Sequence, residues 1–166
     1  MKTIKFLTAS LLLLSCTCLQ AQSKWFAYPL VGVATMNENW GYTANLTFGR
    51  QLTDFGVSGR LRTDVTAGYF GFSENKIYSA AAILTACDDG TSKWHTSWSL
   101  GLGIQKSENR DKYDFIVPLK MTLPFTAYRF NDKMCLGLDW GGNLNFSDFL
   151  SGTIVYLGVF FAFGGL

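Results

Sequence analysis

The sequence predicts an all-β chain: an eight-stranded antiparallel transmembrane β-barrel of up-and-down meander order. Three observations carry that expectation. Apolar and small polar side chains alternate in run after run of roughly ten residues, the length a tilted strand needs to cross a bilayer. The polar face is Gly, Ser, Thr and Asn, with few of the Lys and Glu that a water-facing strand carries. The aromatic residues collect at two heights along the runs, as rings do at two membrane interfaces.

The clearest run is Trp40 to Leu52. Trp40, Tyr42, Ala44, Leu46 and Phe48 share one face, opposite Gly41, Thr43, Asn45, Thr47 and Gly49. Successive strand side chains point to opposite faces, so the first set meets lipid and the second lines a lumen. A strand over 25–35 precedes it and phases poorly, with Pro29 near its start. A third run places Val57, Leu61, Val65, Ala67 and Tyr69 outward, with Ser58, Arg60, Arg62, Asp64 and Thr66 inward. Residues 70–76 read as a loop. Strand four, 77–86, is alanine-rich, with Tyr78, Ala80, Ala82 and Leu84 outward, and an Asp-Gly turn follows. Strand five alternates Trp94, Trp98, Leu100, Leu102 and Ile104 with His95, Ser97, Ser99 and Gln105. Strand six, 114–128, puts Phe115, Val117, Leu119, Met121, Leu123, Phe125 and Ala127 outward, and Ile116, Lys120, Thr122 and Tyr128 inward. Strand seven sets Leu136, Leu138 and Trp140 against Cys135 and Asp139. The last has Val155, Leu157, Val159, Phe161 and Phe163 opposite Tyr156 and Phe160.

The count is even, so both ends fall on one side of the membrane. With that side periplasmic, one aromatic girdle is Trp40, Tyr42, Tyr69, Tyr78 and Phe115, and the other is Phe48, Trp94, Trp98, Phe125, Phe161 and Phe163. Residues 1–21 read as a secretory signal peptide with a basic start, a short apolar core and Ala21 before a polar residue, which leaves 22–166 as the barrel. A lipoprotein cut before Cys16 is the rival processing. Removal of Lys2 and Lys5 with the leader leaves 12 basic against 12 acidic residues, so no basic face for nucleic acid is expected. Cys87 and Cys135 then remain. Strands four and seven are not neighbours, and a disulfide needs Cα atoms roughly 4.4–6.8 Å apart, so two free thiols are expected.

With these elements in place the chain resembles the small outer-membrane β-barrels of the OmpA/OmpX type along its whole mature length. Phe161-x-Phe163 looks like the aromatic terminal strand that the family's assembly machinery reads, although this chain ends Gly-Gly-Leu. The resemblance implies a Gram-negative envelope. It implies as partners outer-membrane lipid, periplasmic chaperones and the barrel-assembly machinery during biogenesis.

Candidate chemistry is sparse. His95 and Ser97 share a face and are similar to the His-x-Ser pair of barrel lipid-A deacylases, but Trp98 stands where that family has Asn, and the phasing turns both inward. One His and two separated Cys make no metal set, and no cofactor is expected. Arg60, Arg62, Asp64, Lys120 and Asp139 converge on the lumen, where charges removed from water must pair. They are expected to form an ionic plug, with Asn45, Ser97, Tyr128 and Tyr156 as further partners. The leading expectation is a non-enzymatic barrel that supports the envelope or binds through its loops. The alternatives are a narrow, porin-like pore and a lipid-A-modifying enzyme using His95 and Ser97.

Overall fold

A computed structural model describes residues 25–54, 59–131, 133–146 and 152–164. The leader, both of its cleavage sites, Val57 and Ser58 lie outside the described residues. Nine β segments run in order: β1 Trp25–Met36, β2 Asn39–Asp54, β3 Arg60–Phe72, β4 Lys76–Cys87, β5 Ser97–Ser107, β6 Tyr113–Thr122, β7 Tyr128–Asn131, β8 Met134–Asn145 and β9 Ile154–Gly164. Each pairs antiparallel with its neighbours, and β1 pairs with β9 from Phe26↔Gly164 to Thr35↔Val155, which closes the sheet. Segments β6 and β7 both pair with β8 and together make one stave, so the closed barrel has eight.

Alternation in the sequence becomes two surfaces. On β5, Ser97, Ser99, Gln105 and Ser107 are buried inside, while Trp98, Leu100, Leu102 and Ile104 are exposed outside. Val31, Val33, Val65, Leu84, Leu157 and Val159 continue the exposed apolar band around the wall. A continuous apolar belt of this kind suits surrounding hydrocarbon. The hairpin between β1 and β2 is a two-residue turn with Asn37 and Glu38 at φ 48° and 64°, the I′ geometry whose twist matches paired strands.

Three elements depart from the sequence reading. The stretch read as a loop at 70–76 begins as strand: β3 continues to Phe72, with Phe70↔Ile77 paired and Phe70 and Phe72 turned inward. Gly71 permits this, because a Cβ there would lie 2.4 Å from the Tyr42 ring that covers it. Strand five begins at Ser97, and Trp94 makes only an isolated bridge to Tyr128. The third departure is in stave six. After Thr122 the chain makes a turn in which Thr126 Oγ1 donates to the Leu123 carbonyl at 2.7 Å and Phe125 takes φ 58°. Pro124, which has no N–H to give a ladder, sits in that turn. The interruption shifts the parity. Ala127 is buried and Tyr128 faces outward, the reverse of the expected placement, and Arg129 enters the lumen.

The lumen is also less polar than its small residues imply. Phe26, Tyr28, Leu30, Phe70, Tyr156 and Phe160 pack in one buried cluster, with Tyr28 stacked on Phe160 at 4.4 Å between centroids. Glycine makes the room: a Cβ at Gly49 would come within 2.2 Å of the Phe26 ring and 2.3 Å of Asp64 Oδ1. Cys87 and Cys135 are both free and buried.

The two faces set the sensitivity of the wall. Leu100 is 56% exposed to the lipid side, and Leu100→Arg is expected to cost about 2–4 kcal/mol near the mid-plane. Ser99 exchanges one hydrogen bond with Thr85 Oγ1 at 2.9 Å, so Ser99→Ala should cost about 1 kcal/mol. Urea titration of the two variants folded into vesicles checks the order; equal losses would contradict the assignment of faces.

Candidate functional site

The middle of the lumen is closed by two ion pairs laid against aromatic rings. Alternation on β3 turns Arg62 and Asp64 inward, where they lie 3.7 Å apart and are almost wholly buried. Thr85 of β4 donates to Asp64 Oδ2 at 2.7 Å, and the Arg62 guanidinium sits 3.9 Å above the Phe26 ring. Across the lumen, Lys120 of β6 is 3.8 Å from Asp139 of β8 and 4.1 Å from the Tyr28 ring centre. The Tyr28 hydroxyl donates to Asp139 Oδ2. Each cation therefore meets one carboxylate and one ring face, two partners that hold a charge out of water. The cavity beside Lys120, bounded also by Asn45, Tyr156 and Asn143, measures about 20 Å³, the size of a single water.

Not every predicted member joins this layer. Arg60 is only half-buried at the start of β3, where its guanidinium lies against Gly90 in the turn after β4, and so it stands at the mouth. Tyr128 faces outward on β7 for the reason given above.

Below the ion pairs, at the end carrying the 88–96 turn, a second cluster forms around Asp88. Arg129 Nη2 donates to Asp88 Oδ1 at 2.5 Å, and the Thr96 N–H donates to Oδ2 at 2.6 Å. His95 Nδ1 lies 3.0 Å from Asp88 Oδ2 and 2.9 Å from Arg129 Nη2. A guanidinium only donates and a carboxylate only accepts, so Nδ1 serves one of the two at a time: protonated it donates to Asp88, unprotonated it accepts from Arg129. Burial raises the Asp88 carboxyl, but the hydrogen bonds from His95, Thr96 and Arg129 outweigh it and hold the group well below the usual carboxylate range. Burial pushes the His95 imidazole down, against the pull of Asp88, and keeps it neutral near pH 7. Neither Asp88 nor Arg129 was marked by alternation. The readable signal for Arg129 is that the run 114–128 is longer than its neighbours and contains Pro124.

This cluster resembles part of a nucleophile relay, so Ser97 decides the matter. Its Oγ bonds to Thr122 Oγ1 at 2.8 Å, and His95 Nε2 has no hydrogen-bond partner among the described residues. A relay requires the serine hydroxyl on that nitrogen. Both side chains are also shut inside the barrel, 1% and 2% exposed, away from the apolar outer wall. Among the described residues no three His, Cys, Asp or Glu come together as a metal site.

On the outer wall Tyr42, Tyr69 and Tyr78 lie side by side with their rings tilted, centroids 5.7 and 5.4 Å apart. Trp40 and Phe115 are exposed toward the same end. Trp94 meets Phe125 edge-on at 6.4 Å toward the other end, where Trp98 is also exposed and Phe161 and Phe163 pack at 5.8 Å. Phe48 is half-buried on β2.

Two outcomes test the interior. Asp64→Ala strands Arg62 beside an apolar ring and should cost about 3–5 kcal/mol, measured by urea titration of the folded barrel. Acid should loosen the Asp88 cluster. Both His95 and Asp88 hold protons less tightly folded than unfolded, so the unfolded chain binds more protons as pH falls. Stability should drop first below about 6.5 through His95 and again below about 4 through Asp88. In Asp88→Asn the lower step should shrink in the stability–pH curve, leaving the smaller part due to Asp89.

No family model and no curated protein matches the sequence. Solved structures do match the fold. Neisserial surface protein A superposes with a TM-score of 0.63 at 14% identity, over 86% of this chain and 97% of its own. The outer membrane enzyme PagL superposes with a TM-score of 0.56 at 13% identity, over 84% of this chain and 99% of its own. The chain has the fold of the small outer-membrane β-barrels.

Proposed function

We propose that this chain is a non-enzymatic barrel of the outer membrane, closed along its axis, which serves the envelope through its body and its exposed loops. The observation that carries the reading is the central layer of Arg62, Asp64, Lys120 and Asp139, paired and packed on Phe26 and Tyr28. A water-filled channel would keep such charges hydrated, whereas here they are buried beside a cavity fit for one water. A lipid-modifying role for His95 and Ser97 finds no support in their geometry. The even stave count sets both ends of the chain on one face, which we assign to the periplasm. Chaperones and the barrel-assembly machinery would meet it there during biogenesis, after removal of a leader over 1–21. The loops 37–38, 73–75 and 108–112 then face outward.

Planar-bilayer recording tests the closed axis. The folded protein should give no steady, well-resolved channel, and a reproducible unitary conductance would overturn the reading. Lipid-A mass spectra from cells with and without the protein should be identical; a lost acyl chain that disappears with Ser97→Ala would restore the enzymatic alternative.

A further inference from the structure

The outward mouth of the barrel holds a preformed polar cup that the closed lumen does not use. A cavity of about 220 Å³ lies between the 37–38 hairpin and the 73–75 loop, with Asn39, Phe72, Glu74, Asn75 and Asn109 on its wall. A deeper one of about 50 Å³ shares Met36 and Asn75 with it and reaches down to Gln105. Together they fall just short of the roughly 300 Å³ at which pockets for drug-sized ligands begin, which suits one small polar molecule.

The loops around the cup are tied to one another. Asn109 Nδ2 donates to the Glu74 carbonyl at 2.9 Å, and Ser107 Oγ donates to Asn75 Oδ1 at 2.6 Å. The Glu108 N–H donates to the Lys76 carbonyl at 2.8 Å, and the side chains of the same two residues pair at 2.9 Å. A site fixed before binding loses little freedom on binding.

The lining chemistry selects the ligand class. The wall is rich in amides, each of which both donates and accepts, as paired hydroxyls do. Gln105 is buried, with Nε2 donating to the Gly152 carbonyl at 3.2 Å and Oε1 without a partner among the described residues at the floor of the cup. Phe72 and Met36 supply an apolar wall for the C–H face of a ring. Among the described residues no Lys or Arg lines the larger cavity, and Glu74 does, so an anion is disfavoured. Arg110, at the deeper cavity, lies 4.0 Å from the Asp114 carboxylate. From this geometry we infer that the cup binds a neutral sugar residue. The inference rests on the assignment of these loops to the outside and names what they take.

Saturation-transfer NMR tests it on the mature chain folded in a zwitterionic detergent, since a sugar-headed detergent would compete. The probes are glucose, galactose and N-acetylglucosamine, with glucose 6-phosphate and sialic acid as charged counterparts. Transfer to the ring protons of at least one neutral sugar is expected, with binding about tenfold weaker in Asn109→Ala and in Gln105→Leu. Asn109 lies on an exposed loop and carries the test if Gln105→Leu fails to fold. Glu38→Ala, outside the cup, should bind as the unaltered protein does. Absence of transfer to every neutral sugar, unchanged binding in Asn109→Ala, or tighter binding of the charged sugars would overturn the inference. Failure here alongside a silent bilayer would leave the closed barrel standing, and a conducting barrel that binds sugar would do the reverse.

Discussion

In hydrocarbon no water is available to a backbone N–H or C=O, so each must find its partner inside the protein. For a chain of strands the only solution without an open edge is closure, and here the β1–β9 ladder supplies it. Much else in the molecule answers to that ladder. It bends eight staves into a tube whose bore is only as wide as the side chains that fill it. It also turns alternate residues of each stave outward, and there the exposed apolar band lies.

A bore of this size brings charges from opposite walls within reach of one another. Arg62 and Asp64 come from one stave, Lys120 and Asp139 from two others, and the aromatic rings of β1 lie between them. The rings do two jobs. They fill volume that glycines such as Gly49 release, and their faces stabilise cations that have left water. Closure along the axis therefore follows from filling the tube and needs no separate gate.

Much of this is legible in the chain because lipid and lumen impose a strict period of two. Strands two and five could be phased residue by residue, and Asp64, Lys120 and Asp139 fall inward on that period alone. The period fails where a side chain's chemistry contradicts its face. Phe70 and Phe72 read as loop because Gly71, Ser73, Glu74 and Asn75 surround them with turn-forming residues, yet a narrow tube with many glycines needs large residues inside. It fails again after Thr122, where a turn resets the count and hides Arg129. Asp88 was invisible for a different reason: a turn residue has no period, and only the fold shows that it meets His95 and Arg129. The amide cup was unreadable in the same way, since its walls come from three separate loops.

The turn at 123–126 gives this barrel an uneven tolerance for changes in length. Thr122 and Ala127 both point inward although an odd number of steps separates them. The turn thus works as a phase shifter for everything that follows it in the stave. One residue removed there would swap the faces of 127–131, sending a guanidinium into lipid and a phenol into the tube. The loops between staves can gain or lose residues without that penalty, because a loop carries no phase. A change of one residue leaves the faces of the wall intact when it falls at the rim and exchanges them when it falls within a stave or at this turn.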